Sequence, residues 1–131
     1  MDSEHIEFTP LSSEDRKQWQ PLCQAYEEGS DYSWDDNKAN IVWSWLHDPS
    51  HPIKCLVAKC NEQMIGYINY RETAHTGYAC SYGYIQDLYV SPDYRRRGIA
   101  QRLIEQVAEI GRQRGWKFLR WTTYADNDEA Q

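Results

Sequence analysis

The sequence lacks the long apolar runs of a membrane protein. No uncharged apolar stretch approaches the roughly 20 residues that a transmembrane helix requires. The first four residues, MDSE, are polar and acidic, whereas a secretory signal peptide starts with basic residues followed by an apolar segment. We therefore expect a soluble, cytoplasmic protein with no membrane partner.

Paired cysteine motifs are also lacking, and the spacing of the four cysteines argues against two common uses. The sequence contains no Cys-x-x-Cys pair, so neither a zinc site nor a disulfide framework is indicated. We expect no metal centre, and we expect reduced thiols that pack as small apolar side chains. The four residues concerned are Cys23, Cys55, Cys60 and Cys80.

Internal repeats, low-complexity tracts and Pro/Gly-rich linkers are absent too. The 131 residues fall in the size range of one domain, and 40% of them are apolar, which is enough for a core around a sheet. The aromatic residues are six Trp and ten Tyr but only two Phe, so most combine an apolar body with a polar tip. We predict a single α/β (α+β) domain over residues 1–131.

The net charge of −6 is unevenly distributed along the chain. Residues 1–90 carry 6 basic and 14 acidic side chains, whereas residues 91–131 carry 8 basic and 6 acidic ones. The acidic part disfavours nucleic acid as a partner and suits a cationic ligand, and the basic part suits phosphates. Surface charge that only confers solubility explains the asymmetry equally well.

Hydrophobic periodicity predicts the order of helices and strands. Apolar positions three to four residues apart indicate a first helix that is capped by Ser12 or Ser13 and stops at Gly29, and a second helix at residues 35–47. Strands are predicted at residues 6–9, 53–59, 64–71 and 78–90.

The clearest helical pattern covers residues 98–114 and stops at Gly115. A strand pattern follows at residues 117–124, and a last helix is predicted to begin near Asn127. The segment from residue 85 to residue 124 therefore predicts a βαβ unit with a parallel pair of strands.

A basic turn that contains one glycine separates this helix from the strand before it. Its sequence is RRRGIA, residues 95–100, an instance of R-x-x-G-x-A. Backbone N–H groups at a helix start have no helical partner, and the helix dipole adds positive potential, so the turn suits an anion. Gly98 lets the backbone approach a diphosphate closely. For the hexapeptide alone, a solvated turn is the alternative interpretation.

The segment before the turn, IQDLYVSPDY at residues 85–94, extends the pattern. Strand and turn together resemble the GNAT superfamily of N-acetyltransferases, in which x-x-L-x-V-x-P-x-Y leads into [Q/R]-x-x-G-x-[G/A] and a long helix. The matching residues are Leu88, Val90, Pro92, Tyr94, Arg95, Gly98 and Ala100. The resemblance implies a GNAT-like mixed sheet with a cofactor-binding unit of strand 4, helix 3 and strand 5.

The resemblance also implies which residues hold acetyl-CoA as co-substrate. Amides of the turn would bind the pyrophosphate, and the main chain at the end of strand 4 would bind the pantetheine arm between strands 4 and 5. Asn127 would contact the pantetheine, or would only cap a helix. The residues implied are Leu88, Tyr89, Val90, Arg95, Arg96, Arg97, Gly98, Ile99, Ala100, Gln101 and Asn127.

The strand is most similar to the diamine and thialysine acetyltransferase branch, which has E-D-L-Y-V where this chain has Gln86 followed by Asp87. The implied reaction is attack of a neutral amine on the thioester. An alkyl amine with a pKa of about 10.4 must first lose a proton to a carboxylate or a water. Asp87 and Glu72 are the candidate bases, with surface carboxylates as the alternative. The N–H of Leu88 is the candidate donor to the oxyanion.

The family places a tyrosine acid on its helix 4, within N-x-x-A-x-x-[F/L]-Y. Asn127 and Ala130 match the start of that motif, and the tyrosine would fall beyond Gln131. The resemblance therefore implies a fold without helix 4 and the last two strands. Either the chain is truncated, or the protein works without the tyrosine, or a partner chain completes the fold. Because exposed strand edges and apolar faces promote association, we expect a homodimer.

Acidic and aromatic residues cluster where the family places its acceptor-binding loop. Carboxylates and aromatic faces together hold an ammonium group, which favours a small, cationic primary amine as the acceptor. The cluster consists of Tyr26, Glu27, Glu28, Asp31, Tyr32, Trp34, Asp35 and Asp36. A solvated loop is the alternative. The competing function is a CoA-binding or assembly module without turnover, and no G-x-x-x-x-G-K-[ST] motif indicates an ATP site.

Overall fold

The computed structural model describes residues 5–29 and 33–121. The strands and helices of the described part follow one another in the order that the hydrophobic pattern predicts. The elements are β1 (Ile6–Pro10), α1 (Arg16–Glu28), α2 (Asp36–Leu46), β2 (Ile53–Cys60), β3 (Gln63–His75), β4 (Cys80–Val90), α3 (Ile99–Arg114) and β5 (Leu119–Trp121). A short 3-10 turn, Pro92–Tyr94, separates β4 from α3. The predicted mixed α/β fold class is confirmed.

The start of α1 differs from the prediction. The helix begins at Arg16 with Asp15 as its N-cap, whereas Ser12 belongs to the turn before it. The backbone N–H of Ser12 donates to the Asp15 carboxylate at 2.8 Å, and Lys59 on β2 donates to the same carboxylate at 2.8 Å. This buried carboxylate therefore ties the helix start to the sheet through an ion pair with Lys59.

The sheet has the strand order β1-β2-β3-β4-β5. The first three pairings are antiparallel, and β4 with β5 is the parallel pair that the sequence predicted. Gly83 pairs with Leu119 and Ile85 pairs with Trp121. The remainder of the predicted fifth strand, residues 122–124, lies outside the described residues.

Helices cover both faces of the sheet. The face under α3 has a core of mainly aliphatic side chains: Leu56, Ala58, Cys60, Ile65, Ile68, Tyr70, Ile85, Val90, Ile99, Leu103 and Val107. The face under α1 and α2 has a smaller core that is richer in aromatic and sulfur-containing residues: Trp19, Cys23, Ala39, Cys55, Val57, Met64 and Tyr67. The two faces thus have different chemistry, which decides where a polar site can form.

A β-bulge in β4 changes which face its side chains occupy. Asp87 pairs with Asn69, but Ile85 pairs with Tyr70, so Gln86 is an extra residue with no partner in the ladder. Strand side chains alternate between faces, and without the bulge Asp87 would lie with Ile85 on the α3 face. The bulge places Asp87 on the face of Asn69, under α1.

Within the described residues, no helix has both the length and the apolar character needed to cross a membrane.

Candidate active site

The turn before α3 has the backbone shape of an anion site. Arg96 and Gly98 both have positive φ, 64° and 79°, in the left-handed region. A non-glycine residue in this region is strained, and such strain collects at functional turns. The first helical hydrogen bond runs from the N–H of Arg102 to the carbonyl of Gly98 at 3.0 Å. The N–H groups of residues 99–101 therefore precede the helical ladder and are available to an anion.

The three arginines of the turn have different surroundings. Arg96 and Arg97 are exposed, and the Arg97 guanidinium lies over the ring of Tyr94. Arg95 is half-buried: its Nε donates to the carbonyl of Val90 at 2.8 Å, and its guanidinium lies 5.3 Å from the ring centre of Tyr89. Arg95 therefore braces the turn against the end of β4, and Arg96 and Arg97 carry the exposed positive charge.

Two further turn residues contribute differently from the arginines. The side chain of Ile99 is buried in the core under α3, so only its backbone faces a ligand. Ala100 is half-buried and Gln101 is exposed. These positions anchor the first turn of α3 while leaving its amides unobstructed.

The end of β4 leads directly into this turn. Leu88 packs against the aliphatic core under α3, and Val90 is buried within it. Tyr89 points to the opposite face and packs beside Tyr67. The structure therefore places residues 88–90 beside the turn at residues 95–101, the two segments that the resemblance assigns to the cofactor. Asn127 lies outside the described residues.

Asp87 is the carboxyl group nearest in sequence to this strand end, and it lies on the α1 face. Its Oδ2 accepts a hydrogen bond from Nδ2 of Asn69 at 3.0 Å, and Tyr26 on α1 also hydrogen-bonds the carboxyl. Burial raises the pKa of Asp87, and the hydrogen bonds from Asn69 and Tyr26 act in the opposite direction. A carboxylate with a raised pKa is suited to accept a proton.

Three tyrosine rings surround the α1 side of this carboxyl. The ring centres of Tyr26, Tyr67 and Tyr89 lie 6.0 to 6.3 Å from one another. The thiol of Cys23 lies beside Tyr67, and burial raises its pKa to about 12. Asp87 thus sits at the rim of an aromatic cluster in which the neighbouring thiol stays protonated.

Glu72, the other candidate base, is not brought to this site. It faces Gly83 in the β3–β4 ladder, three residues along β3 from Asn69, which is about 10 Å of strand. Its carboxylate accepts hydrogen bonds from Arg114 and from Trp116 Nε1, and the Arg114 guanidinium holds the pKa of Glu72 below its ordinary value. Glu72 therefore connects β3 to the end of α3, on the opposite face from Asp87.

The acidic and aromatic cluster is divided by the structure. Asp35 is the N-cap of α2 and accepts the N–H of Asn37 at 2.8 Å, while Asp36 accepts Nε1 of Trp34 at 2.9 Å. These two carboxylates have local structural roles. Tyr26 alone of the cluster reaches the Asp87 carboxyl among the residues that the structure describes, and Asp31 and Tyr32 lie outside them.

Sequence reasoning missed Asn69. Its relative solvent exposure is only 7%. Its Oδ1 is a buried acceptor with no hydrogen-bond donor among the described residues. A single amide in the apolar stretch MIGYINY was the available signal. In the described part of the chain, no three His, Cys, Asp or Glu side chains group as metal ligands, and all four cysteines are free thiols.

One known protein family matches nearly the whole chain. The model of the acetyltransferase (GNAT) family matches residues 16–131. Thialysine N-ε-acetyltransferase of Caenorhabditis elegans is 33% identical over 57 residues, which make up 44% of this chain and 36% of that protein. The matched region thus spans about a third of the length of this curated relative.

Solved structures share the fold over most of their length. Ribosomal-protein-alanine N-acetyltransferase from Brucella melitensis biovar Abortus 2308 superposes with a TM-score of 0.81 at 19% identity, covering 96% of this chain and 85% of that one. Aminoglycoside N-acetyltransferase AAC(6′)-Iy in complex with CoA gives a TM-score of 0.81 at 17% identity, covering 96% and 82%. At these identities the likeness establishes the fold.

Proposed function

Because this chain belongs to the acetyltransferase (GNAT) family of acyltransferase enzymes, we propose that it moves the acetyl group of acetyl-CoA to a primary amine of a small, cationic acceptor. One observation carries the proposal. The β4 bulge places the Asp87 carboxyl on one face of the strand whose end leads into the anion-binding turn of α3. A proton acceptor and a cofactor turn are thus joined by one short strand.

The turn is the proposed binding site for the cofactor diphosphate. The amides of residues 96–101, the left-handed backbone at Arg96 and Gly98, and the exposed guanidinium groups of Arg96 and Arg97 all favour an anion. The pantetheine arm would follow the main chain of residues 88–90. The solved neighbour AAC(6′)-Iy is in complex with CoA, which supports the same class of ligand for this fold.

Asp87 is the proposed proton acceptor. The Asp87 carboxylate takes one proton from the bound ammonium group, directly or through a water. The neutral amine nitrogen then attacks the thioester carbonyl carbon, and the N–H of Leu88 donates to the tetrahedral oxyanion. The C–S bond breaks, and the second proton of the amine nitrogen passes to the departing coenzyme A thiolate. The raised pKa of Asp87 brings it closer to that of the amine than an exposed aspartate would be.

The surroundings of Asp87 support a cationic amine as the acceptor. Tyr26 hydrogen-bonds the carboxyl and packs edge-on against Tyr89, and an ammonium group is attracted both to a carboxylate and to aromatic faces. The names of the relatives, a thialysine N-ε-acetyltransferase and an aminoglycoside N-acetyltransferase, describe acetylation of amines. The identity of the acceptor is to be found by screening amines.

The test is a thiol-release assay with acetyl-CoA and a panel of alkyl amines, polyamines, amino acids and peptides. We expect release with at least one cationic amine, and we expect Asp87→Asn to lower kcat by about 10²- to 10⁴-fold. Glu72→Gln is the matched control, because it also neutralises a carboxylate on the β3–β4 pair but lies on the other face. Equal losses in the two variants would overturn the assignment of Asp87.

A CoA-binding module without turnover is the competing function. It predicts that acetyl-CoA binds tightly while no amine in the panel releases the thiol. Acetyl transfer that saturates with acceptor concentration would contradict it.

A further inference from the structure

We propose that Asn69 is a positioning residue for acetyl transfer, whose amide nitrogen fixes the Asp87 carboxylate in the orientation and ionised form that accept a proton. The inference rests on the proposed acetyltransferase function and assigns a role to a residue outside the family's sequence pattern in this chain. Asn69 lies on β3 and does not touch the turn at residues 95–101.

The backbone places the two residues directly opposite each other. Asn69 and Asp87 are register partners in the antiparallel β3–β4 ladder, and their pairing is the last before the bulge at Gln86. The Asn69 Nδ2 group donates to Asp87 Oδ2 at 3.0 Å, within the ordinary range for this bond. Asn69 is itself buried, so its side chain has little freedom to turn away.

The orientation of the Asn69 amide is decided by chemistry. If the amide were rotated by 180°, its Oδ1 would face the Asp87 carboxylate oxygen, and two acceptors would be in contact. The observed orientation avoids this repulsion. It leaves Oδ1 buried without a donor among the described residues.

A buried acceptor without a donor destabilises a fold, so an amide serving only the core would be expected to satisfy both of its ends. At Asn69 the donor end is satisfied by Asp87 and the acceptor end is not. The surrounding positions of β3 are apolar or tyrosine, and a leucine of similar size would fill the same space. The hydrogen bond that the amide donates to Asp87 therefore explains an asparagine at this position better than packing does.

Asp87 has few other polar contacts. The titratable groups that face it are Cys23 and Tyr26 on α1, Cys55 on β2, Tyr67 on β3 and Tyr89 on β4. Of these, Tyr26 also hydrogen-bonds the carboxyl, and the thiols and Tyr67 have raised pKa values that keep them neutral. The donors Asn69 and Tyr26 thus oppose the effect of burial on the pKa of Asp87.

The decisive variant is Asn69→Leu, which keeps the size of the side chain and removes the donor. We expect the acidic limb of the kcat/KM profile for the amine to move up by about one pH unit, a tenfold loss on that limb. At high pH, where Asp87 is ionised in both proteins, the difference in rate should be smaller than on the acidic limb, and what remains of it measures the loss of orientation. The KM for acetyl-CoA should not change. A loss of activity that is uniform across pH would overturn the proposal.

A direct titration gives a readout that needs no turnover. The ¹³C shift of the Asp87 carboxyl carbon, followed by NMR on the whole chain, should titrate at higher pH in Asn69→Leu than in the wild type. Asn69→Ser, which is smaller and retains a hydrogen-bond donor, should titrate in between, and it supplies a folded variant if the leucine variant is unstable. An unchanged midpoint in both variants would contradict the proposal.

Different results would overturn the proposed role of Asp87 and the proposed role of Asn69. If Asp87→Asn retains full activity, the assignment of the base is wrong, whatever the titrations show. If Asp87→Asn is inactive but the Asn69 variants titrate normally, only the role of Asn69 is wrong.

Discussion

Asp87 carries a carboxyl group into the layer between the sheet and α1, where burial raises its pKa above the ordinary value of 3.8. A raised native pKa means that the folded state favours the protonated form. The stabilising contribution of that form is complete below the unfolded pKa and is lost as the pH rises through the native pKa. Ionising Asp87 in the folded protein therefore lowers the free energy of unfolding, a cost that is consistent with a catalytic group.

Asp87→Asn should for this reason be a stabilising substitution at neutral and higher pH. The amide is neutral at every pH, so its advantage in melting temperature over the wild type should be small near about pH 4 and should grow with pH until the native Asp87 is fully ionised. Thermal unfolding of both proteins across this range measures the effect. If the melting-temperature difference between Asp87→Asn and the wild type shrank as the pH rose, the pKa of Asp87 would be lowered by folding and not raised.

At the residue scale the sequence predicts some positions better than others. The turn at residues 95–101 is visible because a glycine and three arginines occupy fixed places before a helix. Glu72 and Asp87 look alike in sequence, and only the strand register shows that they lie on opposite faces of the sheet. The proposed role of Asn69 depends on its hydrogen bond to Asp87 on the neighbouring strand. Composition and residue spacing do not predict such a contact.

The helix α2 shows how one side chain sets the start of an element. Asp35 has an extended backbone and accepts the N–H of Asn37, as an N-cap residue does. Asp35→Ala should lower the free energy of unfolding by about 1 kcal/mol, while Asp35→Asn, which keeps the accepting oxygen, should change it little. Chemical denaturation of the two variants measures the difference. Equal destabilisation would mean that the charge of Asp35 matters more than its cap.

The elements themselves follow the sequence closely because their apolar faces are continuous. The helix α2 is within a residue of its prediction at either end, and α3 covers the predicted segment and stops at Gly115, which has φ of 81°. The bulge at Gln86 could not be predicted, since one extra residue in a strand leaves the apolar pattern nearly unchanged. It is nevertheless the feature that places Asp87.

The part of the chain that the structure describes forms a mixed sheet with β5 at one edge. Trp121 on β5 is 42% exposed among the described residues, and an exposed large aromatic side chain favours association. The predicted homodimer stays a prediction. If it forms at this edge, Trp121→Glu should convert it to a monomer in sedimentation velocity.

Trp45 supplies the control for that experiment. It is 43% exposed on α2, away from the β5 edge, so Trp45→Glu should leave the association state unchanged. A wild-type chain that sediments as a monomer at all concentrations tested would contradict the homodimer prediction.

The central claim is that the turn before α3 binds the diphosphate of acetyl-CoA, and two glycines allow a matched test. Gly98 and Gly115 flank α3, both have positive φ of about 80°, and a Cβ added to either would have no atom within 4 Å. Gly98→Ala and Gly115→Ala should therefore lower the melting temperature by similar amounts for the same conformational reason. They differ in that only Gly98 lies at the proposed diphosphate site.

Calorimetric titration of acetyl-CoA into the wild type and the two variants is the most direct measurement. We predict that Gly98→Ala weakens binding at least tenfold, about 1.4 kcal/mol, because its methyl group obstructs close approach of the diphosphate. Gly115→Ala should bind as the wild type does. Equal affinities for the two variants would contradict the assignment of the turn, and with it the account of how this chain holds its cofactor.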